Sequence, residues 1–132
     1  GALWGETILF SMCILEEMQW KRTRYITSAD FFHGTLELVE PGVPVFLFMG
    51  EDENRKLDER VRAFLTRGVT GDTDINIIDT AEFAIPGLDD EFRVIVSPWI
   101  LSSLITDRLA AYYETVTKHN LNYLRYYHQF VY

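Results

Sequence analysis

The chain has 132 residues, a length that fits a single domain built around one core. With 48% hydrophobic and 24% charged residues it lies far from the composition of disordered chains. A formal net charge of -8 has the wrong sign for holding a phosphate backbone, so nucleic acid is excluded as an expected partner. Cys13 is the only cysteine, so no intrachain disulfide is expected and a cytoplasmic location is the default expectation. Charged or polar residues interrupt the apolar stretches before the roughly 18 residues of a membrane span, and no basic-then-apolar leader opens the chain, so no membrane association is expected. Acidity is concentrated in the middle: residues 51 to 91 carry twelve acids against five bases, whereas residues 92 to 132 carry two against four. A solvated acidic helix face with acidic loops accounts for that pattern without any functional role.

From Leu3 to Trp20 the residues are strong helix formers, apolar on more than one face, which predicts a buried helix. Because Leu3 already reads as the inside of a helix, the chain has the character of a fragment. Lys21, Arg22 and Arg24 close that helix with favourable positive charge, and Arg24 to Thr27 reads as a short strand. Ser28 then offers an N-cap oxygen for a short helix through His33, extending toward Val39 and weakened by Gly34. After a turn at Pro41, Gly42 and Pro44, the unbroken apolar run Val45 to Met49 predicts a parallel strand covered on both faces. Asn54 caps an amphipathic helix carrying Leu57, Val61, Phe64 and Leu65, with Gly68 as its stop, and Ile75 to Ile78 form a second strand. Strand, helix, strand within one βαβ length sets the fold class as α/β. Phe92 to Val96 reads equally as strand or helix. Ser97 and Pro98 predict a cap and first turn for a long helix from Trp99 to about Lys118. The last twelve residues hold Tyr123, Tyr126, Tyr127, Phe130 and Tyr132 around Arg125 and His128, too aromatic for a free tail, so docking on this subunit or on a neighbour is expected.

For chemistry the residues offer little of the usual kind. His33, His119 and His128 have no partner at metal-ligand spacing, and no Ser or Cys has the surroundings of a nucleophile elbow, so neither a metal nor covalent catalysis is expected. Gly1, Ala2 and Gly5 resemble a glycine loop at a helix N-terminus, where backbone amides favour anions, and a simple helix start accounts for them as well. Glu17 has Phe10, Cys13, Ile14 and Trp20 at helical offsets, an apolar lining that suits a general acid–base. Glu16 has a comparable set in Met12, Cys13 and Trp20, and spacing does not choose between them. Either carboxylate is equally read as an exposed helix-end group paired with Lys21 or Arg24, and His33 beside Phe31 and Phe32 as a core or capping residue.

The motifs E-M-Q-W at Glu17 to Trp20, F-F-H-G at Phe31 to Gly34 and E-P-G-V-P at Glu40 to Pro44, with the R-Y-Y of the tail, resemble the sugar isomerase (SIS) domain family. The likeness is to the C-terminal module of the fructosamine-6-phosphate deglycases and runs over essentially the whole chain. The resemblance implies a single SIS domain over residues 1 to 132, a three-layer, flavodoxin-like parallel sheet flanked by helices and lacking its first strand, and a second module outside this chain. It implies a catalytic glutamate at Glu17 and a catalytic histidine at His33, the latter often presented by a neighbouring subunit. It further implies a phosphorylated sugar-amine substrate, no cofactor, and a homodimer or higher homo-oligomer. Gly1 and Ala2 at the opening and Arg125 and Tyr126 in the tail are the substrate-binding candidates. Thr35 stands where the family commonly has Pro, and Phe130, Val131 and Tyr132 replace a terminal V-E-Y, which puts a substrate role for the tail in doubt. The fragment alone is expected to be inactive. Two further readings share the motifs: an aldose–ketose phosphosugar isomerase, and a non-catalytic module that senses a sugar phosphate.

Overall fold

A computed structural model describes residues 1 to 68 and 70 to 131. Its centre is a pair of parallel strands, β1 (Val45–Met49) and β2 (Ile75–Asp79), joined through helix α2 (Arg55–Leu65) and aligned residue for residue from Val45 against Ile75 to Met49 against Asp79. Alternation along β1 divides the core in two. Leu47 and Met49 pack with Phe31, Val61 and Leu65, while Phe46 and Phe48 face the cluster of Leu3, Phe10, Ile14, Leu101, Ile105 and Ala110. The strand is apolar without alternation because it is covered on both faces, and the fold is a small α/β sandwich of three layers.

Helix α1 (Trp4–Ile8) continues as π-helical turns over Leu9–Met18. Ten residues is far longer than the single-turn bulges in which π geometry is usually met. The apolar anchors Phe10 and Ile14 are buried on it, and Phe10 stacks edge-on against both Phe46 and Phe48 at 5.0 and 5.5 Å. The other outer layer is α2 with two 3₁₀ turns, Phe31–His33 and Thr35–Leu38, hinged at Gly34, whose φ of 135° no residue with a side chain adopts readily. Phe31, Phe32 and Phe64 stack edge to face and seat these turns on α2.

Several expectations change. Arg24 to Thr27 is not a strand but an irregular run that crosses between the layers. Ser28 does not cap; its hydroxyl donates to Asp58 Oδ1 at 2.5 Å, and the segment after it is two 3₁₀ turns rather than a helix. Asn54 sits at the N-cap of α2 without a side-chain cap bond. Phe92 to Val96 is helix, and Ser97–Pro98 is not a start: Pro98 lies inside α3 (Asp90–Ser103), which runs through π-helical Leu104–Leu109 into α4 (Ala110–Thr117). The acidic first turn of α3, Asp90 and Glu91, suits the positive helix end and sets the true start eight residues earlier. The whole run Asp90–Thr117 is 28 residues and is long and apolar enough, by length and composition, to cross a membrane, contrary to the reading of interrupted stretches. One face of it, Leu101 and Ile105, is fully buried in the core.

Candidate functional site

The two carboxylates that spacing left equivalent are not equivalent in the folded chain. Thr23 turns back over the helix, accepts from the Ser11 hydroxyl at 2.5 Å, and donates its own proton to the Glu16 carboxylate. Glu16 therefore serves the fold, anchoring the run that follows the helix. Glu17, half-buried, makes no hydrogen bond or ion pair among the described residues. Over Leu9–Met18 the π-helical winding closes its hydrogen bonds at i+5, so the α-helical offsets i+3 and i+4 do not by themselves give the neighbours of Glu16 and Glu17.

His33 lies at the end of its 3₁₀ turn with 78% of the side chain exposed, and its Nδ1 is 3.9 Å from Asp30 Oδ1. The turn belongs to the layer of Phe31 and α2, whereas Glu17 rides on the helix of the opposite layer. Among the described residues no hydrogen bond, ion pair or shared cavity joins the two. Two cavities run beside β1, of about 120 and 570 Å³, and neither is lined by Glu17 or His33. The amide of Ala2, one of the groups expected to receive an anion, donates to Asp52 Oδ2, so a carboxylate of the chain itself holds this helix start. A side chain at position 1 would place its first carbon 2.8 Å from the same Asp52 oxygen.

Gln19 carries a role that the sequence pattern does not signal. Fully enclosed at the end of the first helix, its amide nitrogen donates to the His119 carbonyl at 3.1 Å and its carbonyl accepts from Thr117 Oγ1 at 2.8 Å. This clamp ties the end of α4 to the residues just after Glu17. Lys118, left-handed at φ 58°, ends the helix there and turns the chain back. Trp20 then stacks on His119 with ring centres 4.4 Å apart, and the Arg125 guanidinium lies 4.0 Å over the Trp20 ring. The tail thus docks on its own subunit as far as Arg125. Tyr126, Tyr127 and Phe130 remain exposed, Tyr126 at 68%, and Tyr132 lies outside the described residues. A Gln beside the motif glutamate was the available signal, but a Gln at a helix end reads as solvated unless its distant partner is known.

The strongly coupled charges lie elsewhere. Arg55 forks onto both oxygens of Asp79 at 2.9 and 2.6 Å and holds that carboxyl below the usual carboxylate range. Arg93 binds Glu51 at 2.5 and 3.1 Å and also the Thr80 carbonyl at 3.0 Å, joining α3 to the loop after β1. Burial raises the Asp58 carboxyl, which nonetheless accepts from Ser28 and from the Gly50 amide. All of these bonds span elements, and they fix the strand ends. Among the described residues no three His, Cys, Asp or Glu side chains converge as a metal ion would need.

No family model matches the chain. It is 30% identical over 105 residues to the fructosamine deglycase FrlB of Bacillus subtilis, covering 80% of this chain and 31% of that protein. To the fructoselysine 6-phosphate deglycase of Escherichia coli it is 34% identical over 116 residues, covering 86% of this chain and again 31% of the relative. A crystal structure from Bacillus subtilis, described as that of a phosphosugar isomerase, superposes over 100% of this chain and 39% of its own, with a TM-score of 0.89 at 29% identity. The chain therefore spans less than a third of the length of these curated relatives.

Proposed function

From a chain that shares the sugar isomerase (SIS) fold and is related to the fructosamine deglycases, we propose a part in cleaving a 6-phosphofructosamine to glucose 6-phosphate and a free amine or amino acid. The observation that carries this reading is the separation of two adjacent carboxylates: Glu16 is tied to Thr23, while Glu17 of the E-M-Q-W motif has no partner among the described residues. Glu17 takes the proton from C1 of the open-chain ketosamine as O2 gains a proton, giving an enaminol, and returns it at C2 as the nitrogen loses its proton, giving the C1 imine, the open-chain form of the aldosylamine. Water adds to the C1 imine carbon, and collapse of that adduct expels the amine and leaves the aldehyde of glucose 6-phosphate. His33 assists ring opening. Its place in the layer opposite Glu17 favours a pairing between subunits, in which His33 of one copy meets Glu17 of another, so the reading includes a homo-oligomer. Arg125, fixed over Trp20 three residues beyond Glu17, is the tail residue placed to meet an anionic part of the substrate; Tyr126 is its neighbour. A cytoplasmic location belongs to the same reading.

A second reading, aldose–ketose isomerisation of a phosphosugar, is favoured by the structural likeness to a protein described as a phosphosugar isomerase. It uses the same Glu17 proton shuttle and no imine hydrolysis. The deciding experiment supplies a protein of the relatives' full length carrying this chain with fructose 6-phosphate conjugates of lysine, asparagine and glucosamine and, in a separate arm, with free fructose 6-phosphate, and follows glucose 6-phosphate. Release from a conjugate, with Glu17→Gln inactive, supports the deglycase; interconversion of free hexose phosphates alone selects the isomerase. Turnover unchanged by Glu17→Gln refutes both. The 132-residue chain by itself is expected to release no glucose 6-phosphate.

A further inference from the structure

Where the helix carrying Glu17 ends, two features that cost free energy stand side by side. Trp20 takes the left-handed conformation at φ 53°, a place that helix endings give most often to glycine and that a bulky side chain enters against steric resistance. The Nε2 of His119, whose ring meets Trp20 edge-on, is buried with no hydrogen-bond partner among the described residues. Stopping the helix explains neither, since glycine would stop it at lower cost. Strained and unsatisfied groups persist only where their surroundings over-determine them, and here they do. Gln19 holds the backbone just before Trp20 through its bonds to the His119 carbonyl and Thr117, the His119 ring centre lies 4.4 Å from that of Trp20, and the Arg125 guanidinium covers the Trp20 ring at 4.0 Å. The strained residue also closes a loop. The Lys21 amide donates to the Leu15 carbonyl at 2.8 Å and the Trp20 amide to the Glu16 carbonyl at 3.1 Å, two nested bonds of the kind that end helices through a left-handed residue, here widened by the π-helical turns. Glu17 lies inside both.

We propose that Trp20 is a positioning residue for Glu17, with His119 as the ring edge that seats it, and that the pair fixes the Glu17 backbone at the reach that proton transfer between two adjacent sugar carbons requires. The assignment rests on the reading of Glu17 as the proton shuttle. A carboxylate that addresses C1 and then C2 gains from a fixed base, because misplacement on the order of 1 Å costs a rate factor of about 100. The direction of the Glu17 backbone depends on the two nested bonds, and these depend on Trp20 staying left-handed. Contacts from the far end of the chain to the Trp20 ring are what hold it there. His119 serves through its shape rather than through its basicity, since its Nε2 bonds to nothing among the described residues. Another flat ring at that position should therefore do the same work.

The test uses a protein of the relatives' full length carrying this chain, supplied with the fructosamine conjugates and with free fructose 6-phosphate. Trp20→Gly puts at the left-handed position a residue that takes it freely and removes only the ring. Its kcat is expected to fall at least about tenfold, with KM rising no further than in Arg125→Ala. Trp20→Phe, which restores a ring, should recover kcat to within about threefold of the parent. His119→Ala leaves Trp20 in place and should lower kcat about fivefold, whereas His119→Phe should hold it within about twofold. Should Trp20→Gly fail to fold, the two His119 variants decide in the same terms. A kcat unchanged in Trp20→Gly, or a loss confined to KM and equal to that of Arg125→Ala, overturns the inference, because Trp20 would then only carry Arg125. So does equal loss in His119→Ala and His119→Phe. If Glu17→Gln is inactive in those same cases, the proton shuttle stands and the positioning role alone is lost. Full turnover in Glu17→Gln, or none of these substrates turned over by the parent, removes both.

Discussion

The strand–helix–strand centre and the helix end that carries Glu17 handle charge in opposite ways. In the centre, Arg55 with Asp79 and Arg93 with Glu51 are paired across elements, and each pair closes a strand end. At the helix end Glu17 has no partner among the described residues, and His33, on the opposite layer, is open to solvent. Charges that hold a fold together are paired with one another, whereas Glu17 stands half-buried beside a structurally engaged twin with no partner among the described residues. The two regions therefore answer differently to the same kind of substitution.

The largest effect belongs to the centre. Met49 has no exposed surface and packs against Phe31, Val61 and Leu65, so Met49→Ala should cost about 2–5 kcal/mol in urea unfolding. Asp79→Ala should follow at about 2 kcal/mol, below the range for fully buried pairs because the Arg55 side chain keeps 29% of its exposure and stays partly hydrated. The same pair sets an acid dependence. Arg55 holds the folded Asp79 carboxyl below its unfolded value of about 3.9, so its stabilisation is present above that pH and is lost as the pH falls through the lower folded value. Asp58 acts the other way: burial raises its folded value, so its contribution is present below about pH 3.9 and is lost as the pH rises through the raised value. Acid titration of stability in Asp79→Asn should therefore be flatter than in the parent, and in Asp58→Asn steeper.

The centre is also the part most legible in the sequence. An unbroken apolar strand, an i, i+4, i+7 helix and a second strand depend on local pattern, and β1, α2 and β2 fall within a residue or so of where that pattern places them. Around Glu17 the pattern misleads because its assumption of 3.6 residues per turn does not hold over Leu9–Met18. Pro98 has the look of a helix start, yet it lies inside α3, where the acidic turn at Asp90 and Glu91 supplies the start instead. The Gln19 clamp joins positions 98 and 100 residues apart, and no local rule can see it. Glu17 and His33 are selected by motif resemblance, and the fold adds a distinction that the motif does not contain, that the neighbouring Glu16 is already engaged.

Smaller effects test the tail. Arg125→Ala should lower stability by about 0.5–1 kcal/mol through loss of the guanidinium over Trp20. If Arg125 also meets substrate, the full-length protein should show KM rising more than kcat falls. Equal loss in both, rescued by Arg125→Lys, would reduce Arg125 to a packing residue.

The smallest effect on stability should accompany the largest on turnover, and it sets the two adjacent carboxylates against each other. Glu17→Gln removes a charge that nothing among the described residues neutralises, so unfolding should shift by less than about 0.5 kcal/mol, while turnover of a 6-phosphofructosamine by the full-length protein falls at least about 100-fold. Glu16→Ala should do the reverse: it frees Thr23 and the run after it, costs about 1 kcal/mol, and leaves turnover within a few-fold. If Glu16→Ala abolished turnover and Glu17→Gln spared it, the proton shuttle would belong to Glu16, and the hydroxyl of Thr23 would have to leave that carboxylate before substrate is bound.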